Sequence, residues 1–334
     1  MDHQLPVYQH PGLVIFVDDS QSFMDGLALH LSPNLHLRTF HNPATALEFI
    51  RQSYAGLAPL LTDPIRIGYD ERSDLLDLRQ ASIDLAVIYQ RATRPERFRI
   101  PVVVVVDYFM PQMSGLEFCA QLQDLPCRKI LLTGQADEGI AIDAFNRNLI
   151  DRFAKKNSPD IARLLEADIN ALRRRFFLGQ TEALRALLAR HTYEFLSDPA
   201  VSDLVERLCR QYRFIEHYLF PNPEGILFVD VQGKATLMIL ATEQSLDVQL
   251  EIARDQEAPH ELLHALQERS LLPFFSDTGG MYLGEIGEDW LQYCLPPQIC
   301  HGRQDYYWAL FEFPSHCMDG HIYPYADFLK QLPG

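Results

Sequence analysis

The sequence has no apolar run long enough to cross a bilayer, and residues 1–4 lack the basic and apolar regions of a secretory signal. Its six cysteines show no Cys-x-x-Cys spacing, so a disulfide framework or a paired-cysteine zinc site is not expected. A chain of 334 residues suits two domains better than one. We therefore expect a two-domain cytoplasmic protein with reduced thiols.

Basic residues are also scarce: 29 Lys and Arg stand against 45 Asp and Glu, which gives a formal net charge of −16. Proteins that bind nucleic acids need a basic surface to contact phosphates. One basic cluster exists, Arg173–Arg175, at the end of a predicted helix. Basic residues at the end of a helix usually complement the helix dipole. DNA binding through this region is therefore an alternative function and not the main prediction.

Asp107 is the most informative residue present. It follows five consecutive valines, Val102–Val106, and precedes Met110-Pro111 and Ser114-Gly115. A continuous β-branched run is typical of a strand buried on both faces of a parallel sheet. Because open α/β sheets place their chemistry at the carboxyl ends of strands, this carboxylate is predicted to be presented at such an end.

Other strand-like segments also end in polar groups. Leu13–Val17 is followed by the acidic pair Asp18-Asp19, Lys129–Leu132 by Thr133-Gly134, and Leu149–Phe153 by Lys155-Lys156. Helix-like stretches separate these segments, which predicts parallel βα units.

The groups gathered at this edge suggest phosphoryl chemistry. Asp18, Asp19 and Asp107 are hard oxygen ligands suited to Mg²⁺. Asp107 is then a nucleophile able to form an aspartyl-phosphate. The Thr133 hydroxyl and a lysine ammonium can bind the remaining phosphoryl oxygens.

These residues resemble the receiver domain of two-component response regulators, whose pattern is an acidic pair, an Asp followed by x-x-Met-Pro-x-x-x-Gly, a Thr or Ser, and a Lys. The resemblance implies that Asp18 and Asp19 bind the metal and that Asp107 is the phospho-acceptor. Thr133 and Phe153 are the implied switch residues and Lys156 the ion-pairing lysine, preferred over Lys155 from the alignment of residues 149–156. Asn157 replaces the proline that usually follows this lysine, which puts the usual cis peptide bond there in doubt.

The implied function is a phosphorelay response regulator that takes its phosphoryl group from a sensor histidine kinase or a phosphotransfer protein and forms a homodimer when phosphorylated. The implied fold is a flavodoxin-like (CheY-like) five-stranded parallel sheet. We expect a receiver over 1–158 with a long insertion at about 51–100, a helical connector over 159–218, and an α+β output domain over 219–334.

The insertion and the connector carry helical patterns. Residues 73–91 show an imperfect apolar stripe (Leu75, Leu78, Leu85 and Ile88) that predicts a long helix, either covering its own domain or forming a docking or dimerisation surface. The connector is predicted to contain helices from Thr181 to Phe195 and from Pro199 to about Tyr218. A β-hairpin turning at Gln232-Gly233 should open the output domain.

The chain also resembles, more narrowly, the Lqs-type quorum-sensing response regulators, through its insertion, the segments around Ala44–Leu47 and Leu131–Gly134, and the C-terminal His321–Tyr325. That resemblance implies quorum-sensing signalling through a non-standard output domain. No catalytic triad or enzymatic signature is recognisable, so the chain is not expected to be an enzyme. An enzymatic or nucleotide-binding output is the remaining alternative.

Overall fold

The computed structural model describes residues 4–33, 35–57, 65–69, 79–134, 138–190 and 193–332. Within these ranges, no helix combines the length and the apolar character needed to cross a membrane.

The strands in chain order are β1 (Tyr8–Gln9), β2 (Leu13–Val17), β3 (Leu37–Phe40), β4 (Ile65–Tyr69), β5 (Arg79–Ile83), β6 (Pro101–Asp107), β7 (Arg128–Thr133), β8 (Arg152–Lys155), β9 (Phe214–Phe220), β10 (Gly225–Asp230), β11 (Ala235–Ala241), β12 (Leu272–Pro273), β13 (Cys294–Leu295), β14 (Gln298–His301) and β15 (Asp305–Glu312).

The α-helices are α1 (Gln21–Ala28), α2 (Pro43–Leu57), α3 (Ala86–Tyr89), α4 (Gly115–Ala120), α5 (Glu138–Asn146), α6 (Ile161–Gln180), α7 (Glu182–Leu188), α8 (Pro199–Tyr212), α9 (Glu243–Asp255), α10 (His260–Gln267) and α11 (Tyr325–Lys330). Short 3₁₀ helices occupy Gln90–Thr93, Pro95–Arg99, Glu194–Ser197, Ser276–Thr278, Gly284–Tyr293 and Ser315–Cys317.

The chain forms two compact units. The parallel-sheet unit comprises His10–Thr62 and Pro95–Gln180, and the antiparallel-sheet unit comprises Met1–Gln9, Asp63–Arg94 and Thr181–Gly334. Each unit therefore draws on segments that are distant in sequence.

The parallel-sheet unit contains the predicted five-stranded sheet, in the order β3-β2-β6-β7-β8, with every pairing parallel. All seven residues of β6 are buried, as expected for a central strand covered on both faces by helices. The α/β fold predicted from the sequence is thus confirmed, and the carboxyl ends of β2, β6 and β7 lie side by side.

The antiparallel-sheet unit is built on a six-stranded sheet in the order β1-β9-β10-β11-β15-β14. The predicted hairpin is β10–β11, paired antiparallel, and Gly233 in its turn has a φ of +82°. Large side chains fill the core of this unit: Tyr218, Phe228 and Tyr306 are each almost fully buried. The α+β architecture expected of the C-terminal region is therefore present.

The insertion differs from the predicted long helix. Arg79–Ile83 is a strand that pairs antiparallel with Ile65–Tyr69, and in the described part of 73–91 helix is limited to α3 and the start of the 3₁₀ helix at Gln90. Leu75 and Leu78 of the apolar stripe lie outside the described residues. The prediction failed because a short stripe cannot distinguish a helix from a hairpin whose partner strand lies several residues upstream.

The units also cut across the predicted domain boundaries. Helix α6 packs on β6 and β8 of the parallel sheet, whereas α8 packs on β9 and β14 of the antiparallel sheet. Strand β1, expected in the receiver, pairs with β9. The predicted connector over 159–218 is consequently divided between the two units.

The connector helices are shorter than predicted. Helix α7 ends at Leu188, and α8 ends at Tyr212 because Arg213 adopts a left-handed conformation with a φ of +58°. The residues predicted to continue this helix to Tyr218 instead form β9. A left-handed residue commonly terminates a helix, but Arg213 gave no glycine or asparagine signal in the sequence.

Candidate functional site

Three carboxylates meet at the carboxyl edge of the parallel sheet. Asp18 follows β2, Asp107 is the last residue of β6, and Asp19 is the next residue after Asp18. One carboxylate oxygen from each lies within 4.8 Å of the others. Asp18 and Asp107 are buried while Asp19 is exposed, so the cluster has one side open to solvent.

Lys156 supplies the positive charge of the site. Its Nζ lies 2.8 Å from Asp18 Oδ2 and 2.9 Å from Asp107 Oδ2. Lys155 is the last residue of β8 and is exposed. The geometry therefore assigns the ion-pairing position to Lys156, in agreement with the alignment used in the sequence interpretation.

The charges of the cluster perturb one another. Burial raises the pKa of Asp107, and the negative charges of Asp18 and Asp19 raise it further, while the Lys156 ammonium opposes both. Burial by itself would lower the pKa of Lys156, but hydrogen bonds to Asp18 and Asp107 leave it raised. At neutral pH the site holds three acidic groups around one ammonium, which leaves a negative charge excess.

The donor set fits a hard divalent cation. Three carboxylates, one of them open to solvent, provide the oxygen ligands and the water access that Mg²⁺ prefers. The negative excess would be relieved by such an ion. Among the described residues, no other group of three or more His, Cys, Asp or Glu side chains is arranged to hold a metal ion.

Thr133 places a buried hydroxyl at the end of β7. It ends β7, directly after Leu132, which pairs with Asp107 across the sheet. Its Oγ1 is buried, and no hydrogen-bond partner for it exists within the described ranges. An unpaired buried hydroxyl costs free energy, so this position favours a ligand that accepts its hydrogen bond.

Phe153 lies in β8, paired with Leu131, and is half-buried. Strand β8 is the outer strand next to β7. The implied switch aromatic is therefore one strand away from Thr133, on an edge strand of the sheet. Asn157 follows Lys156, and among the described residues the cis peptide bond of the chain is Asn222–Pro223 instead.

Two neighbours of the site were missed from sequence. The Ser20 backbone N–H donates to Asp18 Oδ1 at 2.9 Å, while its side chain caps α1. Lys156 Nζ lies 4.9 Å from the centre of the Phe23 ring, a cation–π contact. The capping pattern of Ser20 could have been recognised, but nothing in the spacing of Phe23 links it to a lysine more than a hundred residues away.

Replacing Lys156 with methionine should raise the pKa of Asp107 further, because the ammonium is what opposes burial and the neighbouring carboxylates. A ¹³C NMR titration of the aspartate carboxyls without metal measures this. Lys155→Met is the matched control and should leave the titration unchanged. A shift of equal size in both variants would contradict the assignment of Lys156.

Comparisons with known proteins agree with this arrangement. The chain is similar to the response regulator LqsR of Legionella pneumophila, with a TM-score of 0.81 and 29% identity, covering 100% of this chain and 98% of that chain. Receiver domains from Vibrio parahaemolyticus and Clostridium thermocellum match 51% and 49% of this chain, at TM-scores of only 0.34 and 0.32. No protein-family model matches, and comparison with curated proteins gave no match.

The assignment therefore depends on the Legionella protein and on the fold. A five-stranded parallel sheet with this strand order occupies the N-terminal half, and the whole length aligns with the Legionella response regulator. The chain is similar along its entire length to a two-component response regulator with a receiver domain, and more narrowly to the Lqs type.

Proposed function

We propose that this response regulator accepts a phosphoryl group on Asp107 from a sensor histidine kinase or a phosphotransfer protein. The observation that carries the proposal is the convergence of four groups at one sheet edge. Asp18 and Asp107 share the Lys156 ammonium, and the buried Thr133 hydroxyl beside them has no partner within the described ranges.

Each residue has a defined role in this transfer. A carboxylate oxygen of Asp107 attacks the phosphorus while the bond from phosphorus to the donor nitrogen breaks, and the donor imidazole keeps the electron pair. Asp18, Asp19 and Asp107 would hold Mg²⁺, which neutralises their charge and binds a phosphoryl oxygen. Lys156 and Thr133 donate hydrogen bonds to the other phosphoryl oxygens.

The transfer would then alter the shape of the receiver. Once Thr133 Oγ1 has an acceptor, β7 is drawn toward Asp107 and the Phe153 side chain can turn inward at the sheet edge. The switch hydroxyl and the aromatic side chain would then have two alternative arrangements, and the added charge of the phosphoryl group would favour one of them. We infer that this rearrangement of Thr133 and Phe153 favours homodimer formation or changes the conformation of the antiparallel-sheet unit.

The second unit is proposed to act as a non-enzymatic output in quorum-sensing signalling in the cytoplasm. DNA binding ranks lower: Arg173 and Arg174 on α6 are half-buried, and only Arg175 of the cluster is exposed. A nucleotide-binding or enzymatic output also ranks lower, because among the described residues of that unit no group of three or more His, Cys, Asp or Glu side chains is arranged to hold a metal ion.

Acetyl phosphate tests the proposed transfer without a kinase. Incubation with Mg²⁺ should add one phosphoryl group to the intact mass, and chelation of the metal should prevent it. Addition that proceeds equally in the presence of chelator would contradict a metal-dependent aspartyl-phosphate.

Light scattering tests the proposed response. Beryllofluoride with Mg²⁺ mimics the phosphoryl group and should double the solution mass if phosphorylation drives dimerisation. An unchanged mass, with beryllofluoride binding confirmed by ¹⁹F NMR, would refute dimerisation and favour signal transfer within one chain.

A further inference from the structure

A cavity of about 660 Å³ lies within the antiparallel-sheet unit. Its walls come from the segment before β10 (Pro221–Glu224), the end of β11, the first half of α9, the start of β15 and the turn at Glu194–Phe195. This volume falls in the range of small-molecule sites, on the order of 300–1,000 Å³. Every wall belongs to the same unit.

The charge of the lining is one-sided. Two carboxylates, Glu194 and Glu224, line the cavity, and no Lys, Arg or His is among the lining residues that the structure describes. Glu194 is exposed, whereas Glu224 is partly buried. An anionic ligand would meet only like charge here, so phosphates, nucleotides and carboxylates are disfavoured.

Two acceptor groups in the cavity lack partners. Within the described residues, the Glu224 carboxylate has neither a hydrogen bond nor an ion pair, and desolvation is the sole influence on its protonation. On α9, Gln249 buries its Oε1 without a donor. A partly desolvated carboxylate and an unpaired amide oxygen both cost free energy, so both point to a ligand that donates hydrogen bonds.

The rest of the lining mixes apolar and polar side chains. Phe195, Leu240, Val248 and Met281 supply apolar surface, and Asn222, Thr242, Gln244 and Ser245 supply polar groups. A ligand that fits all of these features has a donor-rich, positively charged head and an apolar body. Burying such a body supplies about 25 cal/mol per Å² of apolar surface, while the head satisfies the acceptors.

We propose that this cavity binds an amphipathic alkylamine, with its ammonium group between Glu224 and Gln249 and its alkyl chain along Phe195, Leu240 and Val248. The site is separate from the phosphoryl chemistry and does not depend on it. A ligand of this class would give the output unit its own chemical input.

Protonation of Glu224 should be linked to binding. Burial raises the pKa of Glu224 to about 7, so an ammonium ligand that requires the carboxylate must displace a proton near neutral pH. Among the described residues, Tyr193 is close enough for the charge of Glu224 to act on it, and Glu194 and Tyr306 also line the cavity. Burial, followed by the charge of Glu224, raises the pKa of Tyr193 to about 12, and burial raises that of Tyr306, so neither tyrosine ionises between pH 6 and 8.

Calorimetry on the full chain with three six-carbon probes tests the proposal at pH 8 and constant ionic strength. Hexylammonium chloride should bind about tenfold or more tightly than hexanol, and sodium hexanoate should not bind. Equal binding of all three probes would mean that the cavity is only an apolar groove, and tighter binding of hexanoate would overturn the charge argument.

Matched variants locate the head group. Glu224→Gln should weaken hexylammonium binding about tenfold and leave hexanol binding unchanged. Glu251→Gln removes the same charge from an exposed position on α9 and should have no effect. Equal losses of hexylammonium affinity in both variants would mean that the effect comes from the general surface charge, and this result would refute the site.

The native chain provides a test that needs no variant. Alkylammonium ions stay protonated between pH 6 and 8, as lysine does. The ionised fraction of a carboxyl with a pKa of about 7 rises about tenfold over that interval, so hexylammonium affinity should rise about tenfold as well. An affinity that stays flat across these pH values would exclude Glu224 as the counter-ion.

Discussion

Asp107→Asn should abolish the Mg²⁺-dependent addition of a phosphoryl group from acetyl phosphate. Asparagine keeps the shape of the side chain but removes the carboxylate oxygen that would form the new bond to phosphorus. The loss should be complete, because Asp18 and Asp19 are proposed only to hold the metal and not to accept the phosphoryl group. Intact-mass spectrometry measures the outcome.

Unfolding should not account for that loss. Burial and its acidic neighbours raise the pKa of Asp107 in the folded chain. The contribution of Asp107 to the free energy of unfolding therefore falls as pH rises from its pKa in the unfolded chain to its higher pKa in the folded chain. A neutral residue removes that cost, and the variant should keep its thermal stability at pH 7 without metal.

Asp124→Asn is the matched control for this experiment. Asp124 pairs with Arg51 on the surface of the same unit, and both side chains are about half exposed or more, so the pair contributes at most about 1 kcal/mol. The control should be labelled like the native chain. Labelling of Asp107→Asn at another residue would remove Asp107 from the role of acceptor.

The site was predictable from sequence because each of its groups ends a strand. Val102–Val106 identified the central strand without ambiguity, and parallel strands bring their carboxyl ends to one edge. Asp18, Asp107 and Thr133 therefore had to be neighbours once the strand order was right. Lys156 required the alignment of the last strand, since Lys155 is equally basic.

The parts that failed depend on pairing between distant segments. Tyr8–Gln9 is too short to signal a strand, and its identity comes from β9, more than two hundred residues later. Phe214–Phe220 followed a strong helical pattern, and only the left-handed Arg213 and the buried sheet beyond it end the helix there. Local propensity is a weak predictor where tertiary contacts decide.

The two units differ in the chemical groups that they offer to a ligand. In the parallel-sheet unit, acidic residues surround a lysine near a hydroxyl that has no partner within the described ranges, which would suit an anion carried by a cation. In the antiparallel-sheet unit, the cavity holds hydrogen-bond acceptors, and no basic side chain is among its described lining residues. The first arrangement fits the proposed phosphoryl group, and the second disfavours it.

Gly115→Ala should destabilise the parallel-sheet unit and slow phosphoryl labelling of Asp107. A Cβ at position 115 would lie 2.3 Å from the Asp107 carbonyl oxygen and 2.9 Å from Leu131 Cδ1. The first of these is backbone, so it cannot move aside as a flexible side chain does. The expected loss of unfolding free energy is about 1–3 kcal/mol, as for overpacked interiors.

Hydrogen exchange of peptides from β6 and β7 measures this loss, because both tryptophans, Trp290 and Trp308, belong to the other unit and would not report it. Any shift of the Asp107 backbone also moves its carboxylate relative to Asp18 and Lys156, and small misplacements of reacting groups lower rates strongly. Phosphoryl labelling of Asp107 should therefore slow to the extent that the β6 and β7 peptides lose their protection from hydrogen exchange.

Gly26→Ala in α1 is the matched glycine control and should act in the opposite direction. No atom lies within 4 Å of a Cβ at that position, and replacing glycine in an exposed helix with alanine stabilises it by about 0.5–1 kcal/mol. If Gly115→Ala behaved like Gly26→Ala, with full protection of β6 and native labelling, the close approach of α4 to the end of β6 would have no part in positioning Asp107. We expect the two substitutions to differ in sign, because the same added methyl meets solvent in one helix and the backbone of the phospho-acceptor in the other.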